Sequence, residues 1–479
     1  MVEHTHDDSD YTVIDKAKMS LGHAPAGLCL PGIDATTHRE AVRLCARDFL
    51  EHHVFFNDRG FHNHLNHHLL AVYTLGAPVK RLQDIFDLNK SMLLPSHSLK
   101  SDVNITAENY AEYFSDDKNY SNYVDFFQRE LEAAGDNWKT VACDYFFDPR
   151  MLPLGMSGVF HPFIQVGYGL EFESKAITAT GLAEACIHPL FFKTMFSEDV
   201  FADICSDSSN AGDPGLSLMQ VIDKMRNDPL SSSMAYHPVA YSCTANVDIA
   251  DKITAKYVKL WSVPATKEAI DAKYRELLSV SALIYGSLAK PGEKPLLHFI
   301  LMHILTAAYF IPIILDCLPI ERQAQLLKAF CAAALGTYSV YGSPELHITP
   351  EITSEDTHRA VPDPQSDMGN AWLNVFSKAI SSNDIHISKV VRSLWRASLL
   401  SASPSKPMFD EDYELPPPIN WLYLARLTLD TITVDNFKDM QEQIDEGKLF
   451  WVYDMVGHEE FLSTYNGSYK LPYSSWKSA

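Results

Sequence analysis

Residues 295–315 read PLLHFILMHILTAAYFIPIIL, a run without a single Asp, Glu, Lys or Arg. At about 20 residues it is long enough to cross a bilayer. It also carries His298, His303 and Thr306, with Pro312 near its end. One span bearing two imidazoles in an otherwise polar chain is the weaker reading. A helix apolar on every side is instead what the centre of a large helical assembly requires. The run is therefore read as a buried helix, and the fold as mainly α.

Working outward, residues 37–50 (THREAVRLCARDFL) place Ala41, Leu44, Cys45, Phe49 and Leu50 at helical spacing. A second pattern covers 60–76 and stops at Gly76. A third, amphipathic, covers 120–134 before Gly135. Similar periodicity predicts helices near 174–194, 215–225, 249–260, 265–289, 294–311, 320–336, 369–380, 384–400 and 419–431. Alternating patterns are scarce, and VNIT at 103–106 and KLFWVYDM at 448–455 are the best strand candidates. So many helices exceed a four-helix bundle and predict a large multi-helix bundle-like domain with long loop insertions. The insertions are 342–368 and 401–418, both rich in Pro, Ser and acid. The expected organisation is a partly ordered N-terminal extension at 1–34, one helical domain at 35–460 and a tail at 461–479.

Composition narrows the function classes. The chain has 479 residues, 46% apolar and 11% aromatic, ample for a folded interior. Lys and Arg number 39 against 61 Asp and Glu, a net charge of -22, which argues against nucleic acid or an anionic membrane as the main partner. Eight cysteines without a CxxC pair read as thiols in a reducing compartment. The N-terminus, MVEHTHDDSD, has neither the basic nor the apolar part of a secretory signal, so a cytoplasmic protein is expected. There is no GxGxxG after a strand, no GxxxxGK[ST] and no GxSxG; Gly167 and Gly169 in VGYGLEF open no dinucleotide loop. Composition leaves the oligomeric state open.

Histidine is the positive signal, with 20 in the chain. EHHVFFNDRGFHNHLNHHLLAVYTLGA at 51–77 holds His52, His53, His62, His64, His67 and His68. If the helix starts at Phe61, His64 and His68 share one face and His62 turns away. Imidazoles at i and i+4 suit one metal ion, but Leu65 replaces the glutamate of HExxH, so this is no zincin. His303 lies in the apolar run, and His298, five residues earlier, points elsewhere on the wheel. His161 precedes Pro162, which suits a first helical turn. His386 and Lys389 in NDIHISKVVRSLWRA stand three apart on one helix face. Taken singly, each histidine reads as a hydrogen-bonded core residue; four in apolar settings make a shared site credible.

The segments NDRGFHNHLNHHLLAVYTLGAP (57–78), FHPFIQVGYGLEF (160–172), LLHFILMHILTAAYFI (296–311) and DIHISKVVRSLWRA (384–397) together resemble the questin oxidase-like family, from about residue 35 to 460. That family includes fungal enzymes of aromatic polyketide metabolism described as Baeyer–Villiger oxidases, and enzymes that open anthraquinone rings. The resemblance implies a helical protein with a non-haem iron held by four histidines and a carboxylated lysine. Matched segment by segment, these are His64, His161, His303, His386 and Lys389. It further implies Fe(2+) as cofactor, dioxygen as co-substrate, and a small aromatic polyketide as the partner. Many relatives carry histidine in an HPLIH segment where this chain has Gln165, a departure that bears on specificity if that position contacts substrate or supports a ligand, and that leaves the implied ligand set unchanged.

Chemistry agrees with that implication. Four neutral imidazoles leave the +2 charge of iron uncompensated, and a carbamate on Lys389 supplies an anionic oxygen. Carbamate formation needs an uncharged amine, which burial favours. Five protein ligands leave one position open. Phe160, Phe163, Tyr168, Tyr309 and Phe310 are candidate walls for a planar substrate or simple core, and Arg392 contacts the carbamate, a phenolate or an intramolecular acid. Baeyer–Villiger-type insertion and dioxygenase cleavage both stay open at this point, and with them the use of an external reductant such as NADPH. The competing readings are a divalent-metal hydrolase using the carbamylated lysine, and a polyketide-binding protein without catalysis.

Overall fold

The apolar run folds as two helices, Phe299–Ala308 and Ile311–Leu315, in a computed structural model that describes residues 8–22, 33–55, 61–96, 101–206, 215–234, 246–292, 297–353, 370–401 and 413–431. Leu301, Met302, Ile304 and Leu305 are fully buried, as a core helix requires. The break falls at Tyr309–Phe310, and Pro312 then sits in the first turn of the next helix, where its missing N–H costs nothing. Among the described residues, no helix is long and apolar enough to cross a membrane.

The fold is mainly α. Among the described residues there is no sheet, and β-pairing is confined to the isolated bridges His52↔Pro95, Phe55↔His62 and Gly215↔Trp261. Residues 103–106 form no strand, contrary to expectation. Side chains of the Tyr120–Ala133 helix satisfy that backbone instead: Asn122 Nδ2 donates to the carbonyls of Ser101 and Val103, and Arg129 to that of Ile105. With its carbonyls so occupied, the β-branched stretch has no partner to pair with. The other strand candidate, at 448–455, lies outside the described residues.

The chain divides into two compact units. The first comprises Met1–Pro189, Pro312–Cys317 and Phe376–Arg392. Its centre is a pair of helices, His161–Glu171 and Lys175–Ile187, in which every residue but Lys175 is buried. Gly169 explains one glycine of VGYGLEF: a Cβ there would meet Thr178 Oγ1 at 2.2 Å and the Thr178 amide at 2.5 Å, so only glycine lets the two backbones approach this closely. The Ala35–Glu51 helix starts on an Asp34 cap and buries Ala41, Leu44 and Cys45. It packs on the helices Leu65–Thr74 and Val79–Asn89.

The second unit comprises Leu190–Ile311, Leu318–Val375 and Ser393–Ala479. The long helices Lys267–Gly286 and Ile320–Val340 pack together, with Phe299–Ala308 against them. Glu276 is the polar centre of this core. Its carboxylate accepts from the Leu218 amide at 2.6 Å, the Trp261 indole at 2.8 Å and the Tyr413 hydroxyl at 2.7 Å, with Lys273 Nζ at 3.8 Å. Removing a fully buried acid strands its donors and the ammonium, so Glu276→Ala is expected to cost about 3–5 kcal/mol. A urea midpoint within experimental error of wild type would refute this.

Two buried histidines link stability to pH. His298 caps Phe299–Ala308, its Nδ1 accepting from the Leu301 amide, and burial lowers its pKa to about 3. In the first unit, His53 Nδ1 accepts from the Phe55 amide, and burial, partly offset by Asp117, lowers its pKa to about 4. Between these values and the unfolded value near 6.5, the unfolded chain binds more protons, so stability rises with pH across that window. Unfolding midpoints should accordingly fall as pH drops from about 6.5 toward 4. A flat profile there would exclude the linkage.

Candidate metal centre

The histidine-rich segment is only partly helical. The helix begins at Leu65, and His64 is its cap, its carbonyl accepting the first helical bond from the His68 amide at 2.9 Å. Asn63 fixes this start: its Oδ1 accepts from the Leu65 amide, and its own amide donates to the Val54 carbonyl. Residues 61–64 are therefore a non-helical lead-in, with His62 bridged to Phe55. His62 does not turn away as a helix would have it; it stacks on His161, with centroids 3.7 Å apart and planes within 5°.

His161 opens its helix with Pro162 beside it, as the sequence indicates. It is delivered there by an unusual turn. Gly158, Val159 and Phe160 have φ of 56°, 54° and 64°, three successive left-handed residues. Only the first is a glycine, and a β-branched residue in this region is strained. The turn aims the Gly158 carbonyl at His161, which donates to it from Nδ1 at 2.6 Å. His64 Nδ1 likewise donates to the His62 carbonyl at 2.7 Å. Carbonyls only accept, so both rings carry their proton on Nδ1 and both Nε2 atoms are bare when the rings are neutral. Those two Nε2 atoms face each other at 2.9 Å. Two lone pairs at that distance, both in buried residues, call for a cation between them. The donor set fits a divalent metal, with backbone carbonyls orienting each ring as metal-binding imidazoles require.

His386 stands 4.7 Å from His64, ring centroid to centroid, edge to face. It lies at the start of the Ile387–Ser401 helix, where Asp384 Oδ1 accepts from the amides of His386 and Ile387. The Val390 amide donates to the His386 carbonyl, so Lys389 follows one turn on, as its spacing predicts. Lys389 is 3% exposed, and desolvation lowers its pKa to about 7, so much of the amine is uncharged at neutral pH. Burial and then the Lys389 charge push His386 well below its ordinary value. Arg392 pairs with Glu171, both buried, and lies over the rings of Tyr168 and Phe172.

In the first unit, the fold thus brings together His64, His161, His386 and Lys389. His303 belongs to the second unit, where it is buried in Phe299–Ala308 and donates from Nδ1 to the Phe299 carbonyl at 2.9 Å, so that Nε2 carries no proton when the ring is neutral. His67 is taken up elsewhere: it stacks on Tyr168 and its Nε2 lies 2.5 Å from Gln165 Oε1. His68 is buried, which lowers its pKa to about 3. Phe160 and Phe163 are wholly buried in the first unit, as are Tyr309 and Phe310, nearly so, in the second.

Two features escape sequence reasoning. Arg81 donates to the carbonyls of Ile380 and Ser382 and to Asn383 Oδ1, pinning the segment that leads to His386 from 300 residues away; nothing local signals it. His62, Glu184 and His188 also form a cluster, the last two buried and His62 partly so, whose ligand atoms lie within 4.8 Å of one another, a set fit for a metal ion. A signal existed for Glu184, the lone acid in the apolar ITATGLAEACI.

Comparison with known proteins supplies the wider context. A protein-family model described as questin oxidase-like matches residues 61–394. Over 437 residues, 87% of this chain and 83% of the relative, the sequence is 28% identical to "Oxidoreductase AflY" of Aspergillus parasiticus. It is 26% identical to "Baeyer-Villiger monooxygenase dmxR6" of a Cryptosporiopsis species, covering 87% of this chain and 93% of that one. It is 24% identical to a "Questin oxidase" of Aspergillus terreus, covering 80% and 85%. A family match across more than half the chain, together with a buried imidazole pair whose bare nitrogens face each other, identifies the protein as a member of the questin oxidase-like family and an oxidoreductase.

Proposed function

We propose that the protein is a non-haem iron oxygenase that oxidatively cleaves a ring of an anthraquinone- or questin-like aromatic polyketide, using dioxygen. Its metal ligands in this reading are His64, His161, His303, His386 and a carbamylated Lys389. The observation that carries it is the 2.9 Å approach of two Nε2 atoms whose Nδ1 protons are both committed to carbonyls. The relatives named as a questin oxidase and as Baeyer–Villiger enzymes supply the substrate class and the type of outcome. Iron in this setting supplies one-electron chemistry toward dioxygen.

The chain's own residues do the rest. The carbonyls of His62, Gly158 and Phe299 hold three rings in one tautomer. Burial keeps the Lys389 amine able to react with carbon dioxide, and the resulting anion offsets the metal charge. Arg392, held by Glu171, positions the helix that carries Lys389. Iron analysis after anaerobic purification should give about one iron per chain for this centre, and His64→Ala, His161→Ala, His303→Ala and His386→Ala should each lower it. Product formation should consume dioxygen; equal turnover without oxygen would favour hydrolysis. Incorporation of one labelled oxygen atom points to monooxygenation with a reductant such as NADPH, and of two to dioxygenation.

A further inference from the structure

His62, Glu184 and His188 form a compact donor set of their own within the first unit. His62 Nε2 lies 2.9 Å from His188 Nε2 and 3.5 Å from Glu184 Oε1, and His188 Nε2 lies 3.9 Å from the same oxygen. Two donors bound at about 2.1 Å to one ion, about 90–109° apart, are separated by about 3.0–3.4 Å. The three spacings are close to the edges of such a polyhedron and reach it with side-chain adjustments well under an ångström.

The surroundings suit a bound cation. The Glu184 side chain is 2% exposed, and its Oε1 receives no hydrogen bond. Among the described residues, no lysine or arginine pairs with it. Burial pushes the Glu184 carboxyl well above its ordinary pKa, so in its ionised form it calls for a positive partner, which a metal ion between it and the two imidazoles supplies. The rings are held in place: His62 stacks on His161, and Phe55 lies edge-on to both His62 and His188 at 5.6 and 5.5 Å. Room for His188 depends on Gly158, where a Cβ would come within 2.6 Å of the imidazole.

We propose that His62, Glu184 and His188 are a second metal site, separate from the His64–His161 centre, that takes a divalent first-row transition ion through two nitrogens and one carboxylate oxygen. Two imidazoles favour Fe(II), Mn(II), Co(II) or Zn(II) over Mg(II) or Ca(II) and leave coordination positions free.

Zn(II), which is redox-silent, is the probe. The full chain is stripped with chelator and titrated with Zn(II) against a chromophoric competitor, and bound metal is counted by mass spectrometry. Glu184→Gln, nearly isosteric, should bind one equivalent fewer than wild type, that site being weakened at least about 100-fold. His64→Ala should keep the equivalent that Glu184→Gln loses. The proposal is overturned if Glu184→Gln binds Zn(II) like wild type, or if both variants lose the same single equivalent. Should Glu184→Gln fail to give a native circular dichroism spectrum, His188→Gln is read in the same way. Failure of the iron reading looks different: it leaves His64→Ala with wild-type metal content.

Discussion

Lys389→Ala is expected to retain a folded chain while losing most of its iron and at least about 100-fold in turnover. The side chain is 3% exposed, and its amine is already lowered to about 7 by desolvation, so the native interior gains little from it as an ammonium. A charged lysine one turn from His386, and close enough to depress that imidazole, would repel a bound cation. Conversion to a carbamate reverses the sign of the side chain, and its removal deletes an anionic ligand, for which the affinity loss should exceed the 10–100-fold typical of supporting residues. Lys389→Glu restores the charge on a shorter arm and should recover part of the iron. Bicarbonate should speed reconstitution of wild type from metal-free, carbon-dioxide-depleted protein and leave the glutamate variant unaffected. Wild-type iron content and turnover in Lys389→Ala would remove this lysine from the centre even if all four histidines proved to be ligands.

The second large effect is expected at Gly158→Ala. The residue has φ of +56°, where an alanine costs about 1–2 kcal/mol in backbone energy alone. Its Cβ would also lie 2.6 Å from His188 Cε1 and Nε2, closer than packed carbon atoms approach. Either His188 or the Gly158 peptide must give way, and that peptide's carbonyl holds His161 Nδ1. We expect a loss of at least about 2 kcal/mol in unfolding free energy together with reduced bound iron. A cycle with His188→Ala separates the causes: the double variant should recover the share due to overlap and retain the share due to backbone strain. Additive losses across the cycle would show that the contact with His188 carries no weight.

Much of the fold is legible because burial imposes a 3.6-residue period, and helices such as Ala35–Glu51, Lys267–Gly286 and Trp421–Thr431 lie where that period places them. His161 at a helix start is legible from Pro162. The start of the other histidine helix is less so: the histidine-rich pattern suggests one helix from Phe61, whereas the Asn63 side chain on the Leu65 amide and a bridge from His62 to Phe55 keep residues 61–64 out of the helix. That shift by four residues is why His62 reads as facing away when it stacks on His161. Convergence of His64, His161 and His386 is invisible to spacing, since more than 300 residues separate the first from the last; only the family likeness singles them out. Arg81 and Glu184 show the same limit, because their partners are set by packing between distant helices.

The left-handed run Gly158–Val159–Phe160 sets protein engineering against catalysis. Replacing Val159 (φ 54°) by glycine would relieve steric strain of order 1 kcal/mol, offset in part by the greater freedom of the unfolded chain. A screen for thermostability would therefore be drawn to this turn. The same relaxation would let the Gly158 carbonyl swing away from His161 and blur the ring on which the facing nitrogens depend. Variants selected for heat resistance at 158–160 should emerge robust and sluggish, so a stabilisation campaign gains most by leaving these three positions untouched.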